Sequence, residues 1–210
     1  MAALDDFYDD VMPHLGGAEK PLVDLHIRRA VRDFLSRTTL WRATIAVPTA
    51  IGQSDYPLTP TATDSAVAGV YACTFDGGRM DNISEQRQPL PGVVLQNGQP
   101  RAYAEPVRAL LRVYPAPDRI ANLNVGVVLT LPLDPSVATV PDFVVEHYRD
   151  VVADGILSNL LLIAKKPWSD PQMGLLRRSN YNNAVLRQRA DLRGGGERHN
   201  EVISIPRFGR

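Results

Sequence analysis

Pro141-Asp142-Phe143-Val144-Val145-Glu146-His147-Tyr148-Arg149-Asp150-Val151-Val152-Ala153-Asp154-Gly155-Ile156-Leu157-Ser158-Asn159-Leu160-Leu161-Leu162-Ile163-Ala164-Lys165-Lys166-Pro167-Trp168-Ser169-Asp170-Pro171 is the stretch on which the fold turns. Val144, Tyr148, Val151, Val152, Gly155, Ile156, Leu160 and Ile163 keep a 3.6-residue period, which predicts an amphipathic helix. Pro141-Asp142 opens that helix. Lys165-Lys166-Pro167 is expected to close it, since cations suit the negative end of a helix. Ser169-Asp170-Pro171 then reads as an N-cap with proline just inside the next helix. That helix is expected to run to about Arg193, where Gly194-Gly195-Gly196 stop it. Trp168 falls at the corner between the two and is expected to pack there.

Upstream, Leu4, Phe7, Tyr8, Val11 and Met12 recur at helical spacing, so residues ~3–14 predict a short helix ended by Gly16-Gly17. A second helix follows Pro21. Its apolar stripe is Val23, Ile27, Ala30, Val31, Phe34 and Leu35, with Arg28, Arg29, Arg32 and Asp33 mostly on the other side. Thr38-Thr39 should end it, because β-branched residues favour extended chain.

Between these helical pairs the pattern changes. Most of the 17 prolines lie there and helical periodicity disappears. Trp41–Val47 and Ala66–Phe75 read as strands, and Tyr56-Pro57-Leu58 as a short edge segment, since proline cannot sit in a central ladder. Asp76-Gly77-Gly78 reads as a turn. Val93-Val94-Leu95 and Arg101–Ala104 predict a hairpin around Asn97-Gly98. Val107–Tyr114 and Leu123–Leu131 predict a second antiparallel pair. The expected fold class is α+β: a four-helix bundle, made of two N-terminal and two C-terminal helices, with a central antiparallel β-rich insertion and an extended C-terminal arm. The expected division is 1–39 and 139–193 for the bundle, 40–138 for the insertion and 194–210 for the arm.

The arm carries its own signal. Beyond the triple glycine comes Glu201-Val202-Ile203-Ser204-Ile205-Pro206-Arg207-Phe208, an apolar run of strand character. A flexible joint followed by β-branched residues predicts a segment that completes a partner's sheet or groove. A frayed terminus is the alternative, and it should be more polar.

Charge narrows the function classes. The 210 residues hold 23 Lys and Arg against 23 Asp and Glu, so whole-chain charge does not argue for nucleic acid or membrane. The distribution is uneven, however. Asp5, Asp6, Asp9 and Asp10 make the start acidic. From residue 177 onward, eight arginines face three carboxylates. Arg177, Arg178, Arg187, Arg189 and Arg193 of the fourth helix could touch phosphates without reading bases, or form a solvated or intersubunit face. Acidic start and basic end could pair within one molecule or between copies, and solvated faces are the plain alternative.

The single cysteine, Cys73, gives no disulfide framework and is expected as a small apolar residue in a strand. The opening residues lack the basic-then-apolar order of a signal peptide, and no run approaches ~20 apolar residues. His14, His26, His147 and His199 have no ligand-spaced partners, which argues against zinc. No nucleophile elbow or phosphate cradle is present. The expectation is a non-enzymatic protein with no cofactor, no metal and no membrane partner.

Several short matches point further. They are the opening Leu4-Asp5-Asp6-Phe7 and Arg28-Arg29-Ala30-Val31-Arg32-Asp33-Phe34 with Trp41 soon after. Next come Gln53-Ser54-Asp55-Tyr56-Pro57-Leu58 and Leu111-Arg112-Val113-Tyr114-Pro115. The last is Gly155-Ile156-Leu157 with Lys166-Pro167-Trp168-Ser169-Asp170-Pro171. Together, over almost the whole chain, they resemble the head-to-tail adaptor (connector) proteins of tailed bacteriophages, particularly short-tailed phages. The resemblance implies a structural virion protein at the portal vertex, made in the host cytoplasm. It implies a ring, typically of twelve copies, that joins the portal protein to a tail nozzle or tube protein. DNA would pass through that ring without sequence-specific contact, and the basic fourth helix would face that channel, a neighbour or the portal. It also implies that the C-terminal arm embraces the portal, which gives Val202, Ile203, Ile205 and Phe208 as apolar contacts and Arg207 and Arg210 as charged ones. The alternatives are a DNA-binding or packaging accessory protein using the basic fourth helix, and a tail-completion protein.

Overall fold

The computed structural model describes residues 1–83, 97–132, 134 and 136–193. The expected four-helix bundle with a β insertion does not form. The N-terminal segment is not one helix but a 3-10 turn (Leu4–Phe7), a four-residue helix α1 (Tyr8–Val11) and a second 3-10 turn (Met12–His14). Pro13, which has no amide to donate, sits in the last of these. Leu4, Phe7, Val11 and Leu15 are all buried, so their spacing serves the core without a continuous α-helix. The chain's start is held instead by backbone pairing. Strand β1 (Ala2–Ala3) pairs antiparallel with a short strand at Thr139–Val140, and the Leu4 amide donates to the Ala138 carbonyl at 2.9 Å.

Three long helices make up the helical layer: α2 (Lys20–Thr38), α3 (Asp142–Leu160) and α4 (Pro171–Arg193). The expected α2 stripe is buried as a set. The helix ends differently from expectation. Thr39 does not pass into extended chain but takes a left-handed conformation at φ 58°, while the Thr38 hydroxyl donates to the Phe34 carbonyl at 2.7 Å. The Thr39 amide donates to the Leu35 carbonyl at 3.1 Å, which satisfies one orphan acceptor at the helix end. Helix α3 stops short of the expected Lys165-Lys166-Pro167; residues 161–168 form successive turns that bring the chain round to α4. It also kinks at Tyr148 (φ −128°, ψ 15°).

The β region is a major part of the fold with its own core. One four-stranded sheet has the order β2 (Arg42–Pro48), β9 (Asn122–Thr130), β4 (Ala66–Phe75), β5 (Gly78–Arg79). The other has the order β3 (Asp55–Pro57), β8 (Leu110–Tyr114), β7 (Ala102–Val107), β6 (Asp81–Asn82). The strand at Thr139–Val140 is β10. Pairing is antiparallel except between β6 and β7. Leu111 and Val113 of one sheet and Leu123, Val125, Val127 and Leu129 of the other alternate into a shared apolar cluster, all fully buried. Cys73 lies in it, its thiol pushed up to about 12 by burial and so inert as a nucleophile.

Strand positions were legible; pairings were less so. Val107–Tyr114 does not pair with Leu123–Leu131. Those segments lie in different sheets, and β8 pairs instead with β7 across a tight turn containing Ala109 at φ 63°. A local hairpin closes a shorter loop than the expected pair would. The expected Val93–Leu95 partner lies outside the described residues, while β7 has β8 and β6 as neighbours. Tyr56-Pro57 does form the short edge strand, as its proline requires.

That edge is fastened by charge. Arg112 donates twice to Asp55 across the β3–β8 ladder, with Nη2 to Oδ2 at 2.7 Å. The arginine's hydrogen bonds hold the Asp55 carboxyl below its ordinary 3.8. A depressed carboxylate adds stability above its unfolded-state pKa and loses it as pH falls through the folded-state value. Both side chains are more than a third exposed, so screening limits the pair to about 1 kcal/mol or less. Asp55→Asn is therefore expected to lower stability slightly at pH 6 and not at all near pH 2. Urea titrations of both proteins at the two pH values measure this.

The two cores meet where β9 ends. The Thr130 hydroxyl donates to the Arg32 carbonyl at 3.1 Å and accepts from Ser36 at 3.2 Å. Leu131 already belongs to the helical cluster.

A candidate assembly surface

Helix α4 starts where the sequence says it should. Asp170 is its cap: Oδ1 accepts from the Met173 amide at 3.0 Å, and Pro171 occupies the first turn. One side of α4 packs on α3 and on the turn that follows it, through two close approaches. A Cβ on Gly174 would stand 3.0 Å from the Leu162 side chain, and one on Gly155 would stand 2.9 Å from the Tyr181 ring. Gly155 lets α3 and α4 approach closely, and Gly174 lets α4 approach the turn after α3. Trp168 fills the corner, 9 % exposed, with the Lys166 ammonium 5.7 Å over its ring.

Tyr181 is the pivot of this packing. It is 5 % exposed, and its hydroxyl donates to Asp33 Oδ2 of α2 at 2.7 Å. The Arg37 guanidinium lies 5.6 Å over the ring, bonds the same carboxylate and donates to Asn182 Oδ1 at 2.9 Å. Burial first, and then the Asp33 carboxylate, push the Tyr181 phenol well above its ordinary 10. It therefore stays a donor. Tyr148 of α3 packs on Phe34 of α2 at 5.1 Å between ring centroids, which ties the third side of the layer.

Among the described residues the other side of α4 has no such partner. Leu175 and Leu186 are each 59 % exposed, Leu176 is 55 % and Met173 41 %. Leucines on the outer face of a helix beside arginines make an amphipathic surface suited to another protein. Arg178, Arg187 and Arg189 are exposed along it. Arg177 is not part of that surface as a free charge, because Asp154 of α3 holds it at 2.6 Å. The expected basic face is thus split. Arg193 is the last residue of α4. The arm residues Val202, Ile203, Ile205, Arg207, Phe208 and Arg210 lie outside the described residues.

The acidic start does not pair with the basic fourth helix among the described residues. Asp10 is held by Arg149 of α3, Asp5 lies 3.7 Å from Lys20, and Asp6 accepts from the Ala3 amide at 3.1 Å. Sequence reasoning missed the Asp33–Tyr181 bond, which joins residues 148 apart in sequence. It also missed a cluster of arginines beside α2, because one member comes from the β7–β8 turn. The only available signal was that Arg28, Arg29 and Arg32 share the exposed side of α2.

No described helix is long and apolar enough to cross a membrane. Among the described residues no group of three or more His, Cys, Asp or Glu could hold a metal ion. Residues 2–203 match the family model described as SU10 adaptor protein. No curated protein matches the chain.

Proposed function

The chain belongs to the SU10 adaptor protein family, and on that premise we propose that it joins the portal of a tailed phage to its tail. It acts by binding and not by catalysis. Copies pack side by side in a ring of about twelve that continues the DNA channel, a heterologous arrangement that closes when the rotation between neighbours closes. The C-terminal arm docks on the portal through Val202, Ile203, Ile205 and Phe208, with Arg207 and Arg210 at its polar end. A tail nozzle or tube protein binds the opposite end of the ring.

The observation that carries this reading is the two-sidedness of α4. Its inner side is fixed by Tyr181, Gly155 and Gly174, while its outer side presents Leu175, Leu176 and Leu186 and leads directly into the arm. A surface of that kind supports docking by α4 and arm together on one partner, the portal. Its arginines support passage of DNA nearby less well, since Arg177 is already neutralised by Asp154.

Cryo-electron microscopy of intact particles tests the proposal. The expected result is density for this chain beneath the portal vertex, with α4 and the arm against the portal. Density elsewhere in the particle overturns it. Leu175→Ser with Leu176→Ser is expected to leave the unfolding transition within about 0.5 kcal/mol of wild type, as exposed substitutions do. Portal binding should fall by about tenfold or more, as expected for two truncated interface leucines. Surface plasmon resonance on immobilised portal rings measures the second effect.

A further inference from the structure

The exposed side of α2 forms one wall of a basic groove of about 430 Å³. Arg28, Arg29 and Arg32 line it from the helix and Arg108 from the β7–β8 turn, while Leu25 and Pro132 give it apolar wall. None of these four arginines takes part in an ion pair among the described residues. Arg28 only donates through Nε to the Val137 carbonyl at 3.1 Å. The one carboxylate in the lining, Asp33, is already engaged by Tyr181 and Arg37. Asp24 and Asp134 act on Arg28 through space without an ion pair, so the four cations are compensated only in part, and an anionic occupant relieves the repulsion that remains.

The same chain displays a surface of the opposite sign. Asp6, Asp9 and Asp10 gather round Arg149, whose guanidinium they hold in the charged form. Glu146 and Asp150 stand exposed on α3, three residues before and one after Arg149. The two surfaces are built from different residues of the chain and do not overlap. Phe34 and Tyr148 touch across the α2–α3 contact. Arg29 and Arg32 lie on the far side of α2 from Phe34 by helical spacing, and Glu146 and Asp150 are exposed on α3. The acidic surface ends at Met12, 37 % exposed, and the groove at Leu25, 42 % exposed, so each carries one apolar contact at its edge.

We propose that the acidic face of one copy, centred on Asp9 and Asp150, seats in the Arg28/Arg29/Arg32/Arg108 groove of the next copy. Two different, complementary surfaces on one chain give a heterologous contact, the kind that propagates round a ring. The occupant is a second copy and not a separate polyanion, because a chain of zero net charge that segregates its charges onto two faces supplies its own complement. This inference rests on the adaptor reading and names the contact between neighbours in the ring.

Charge reversal tests it with the full chain and the portal ring of the same phage. Arg29→Glu with Arg32→Glu reverses the groove; Asp9→Lys with Asp150→Lys reverses the acidic face. Each double variant alone is expected to fill portal rings about 100-fold less well than wild type, since like charges are forced together. An equimolar mixture is expected to restore filling, because reversed groove then meets reversed acidic face. That recovery also shows that both variants fold; should a reversal fail to fold, its neutral counterpart, Arg29→Gln with Arg32→Gln for the groove or Asp9→Asn with Asp150→Asn for the acidic face, replaces it and is expected to show a weaker loss. Filling as wild type by either reversal variant alone, or no recovery in the mixture, overturns the inference while leaving the adaptor reading intact. Loss in the groove variant only assigns the groove to another polyanion, such as DNA, and overturns it equally. If wild type does not bind portal rings, the adaptor reading fails and this inference falls with it.

Discussion

Deleting residues 197–210 is expected to abolish stable portal binding and to leave the folding of the rest of the chain unchanged. The loss should be on the order of 100-fold in affinity or more. Fully burying one Val, Ile or Phe contributes about 1.5–3 kcal/mol, and four such residues stand in the deleted segment. Part of that gain offsets the entropy of ordering the arm on the portal, so the observed loss falls below the summed burial. The remaining deficit still exceeds the ~1.4 kcal/mol that corresponds to a tenfold change. Both described apolar clusters lie within residues 4–185, so the thermal midpoint of the shortened protein should match the full chain. Equal portal affinity for the two proteins would falsify the role given to the arm.

The second large effect is at Tyr181. Tyr181→Ala is expected to destabilise the helical layer by about 3–5 kcal/mol, the range for truncating a buried aromatic to alanine. It removes a ring that lies within van der Waals reach of Gly155, a hydrogen bond to Asp33 and the surface on which Arg37 rests. For a domain of this size that corresponds to a fall of roughly 10 °C or more in thermal midpoint. Tyr181→Phe keeps the ring and loses only the donor, at about 1 kcal/mol. The two variants thus separate packing from hydrogen bonding, and differential scanning calorimetry distinguishes them.

A pH signature accompanies this. The folded phenol has a pKa raised above the unfolded value of about 10. Its contribution is therefore fully present below pH 10 and lost as pH rises through the folded value. Wild type should lose stability between pH 10 and 12 more steeply than Tyr181→Phe does. Parallel slopes for the two proteins would mean that Tyr181 ionises freely.

What could be read from the chain follows a physical divide. The 3.6-residue stripes on 23–35 and 144–156, the Asp170 cap, and the strands at 42–48 and 66–75 are local signals, set by propensity, periodicity and capping within a few residues. They survived folding nearly unchanged, and the short matches spread along the chain pointed to the family that its whole-length match supports. The bundle did not survive, because residues 4–15 satisfy their apolar spacing with 3-10 turns around Pro13 as readily as with a helix.

Partner choice lay beyond local signals. β8 could have paired with β9 or β7, and closure of the nearer hairpin decided it. Arg177 looked the same as Arg178 in the sequence until α3 placed Asp154 beside the first. The sequence by itself determined where helices and strands begin, which residues are apolar, and the balance of charge. Only the tertiary structure decided which arginines remain unpaired and which leucines remain uncovered, because pairing and burial depend on what a residue meets across space and not on its neighbours along the chain.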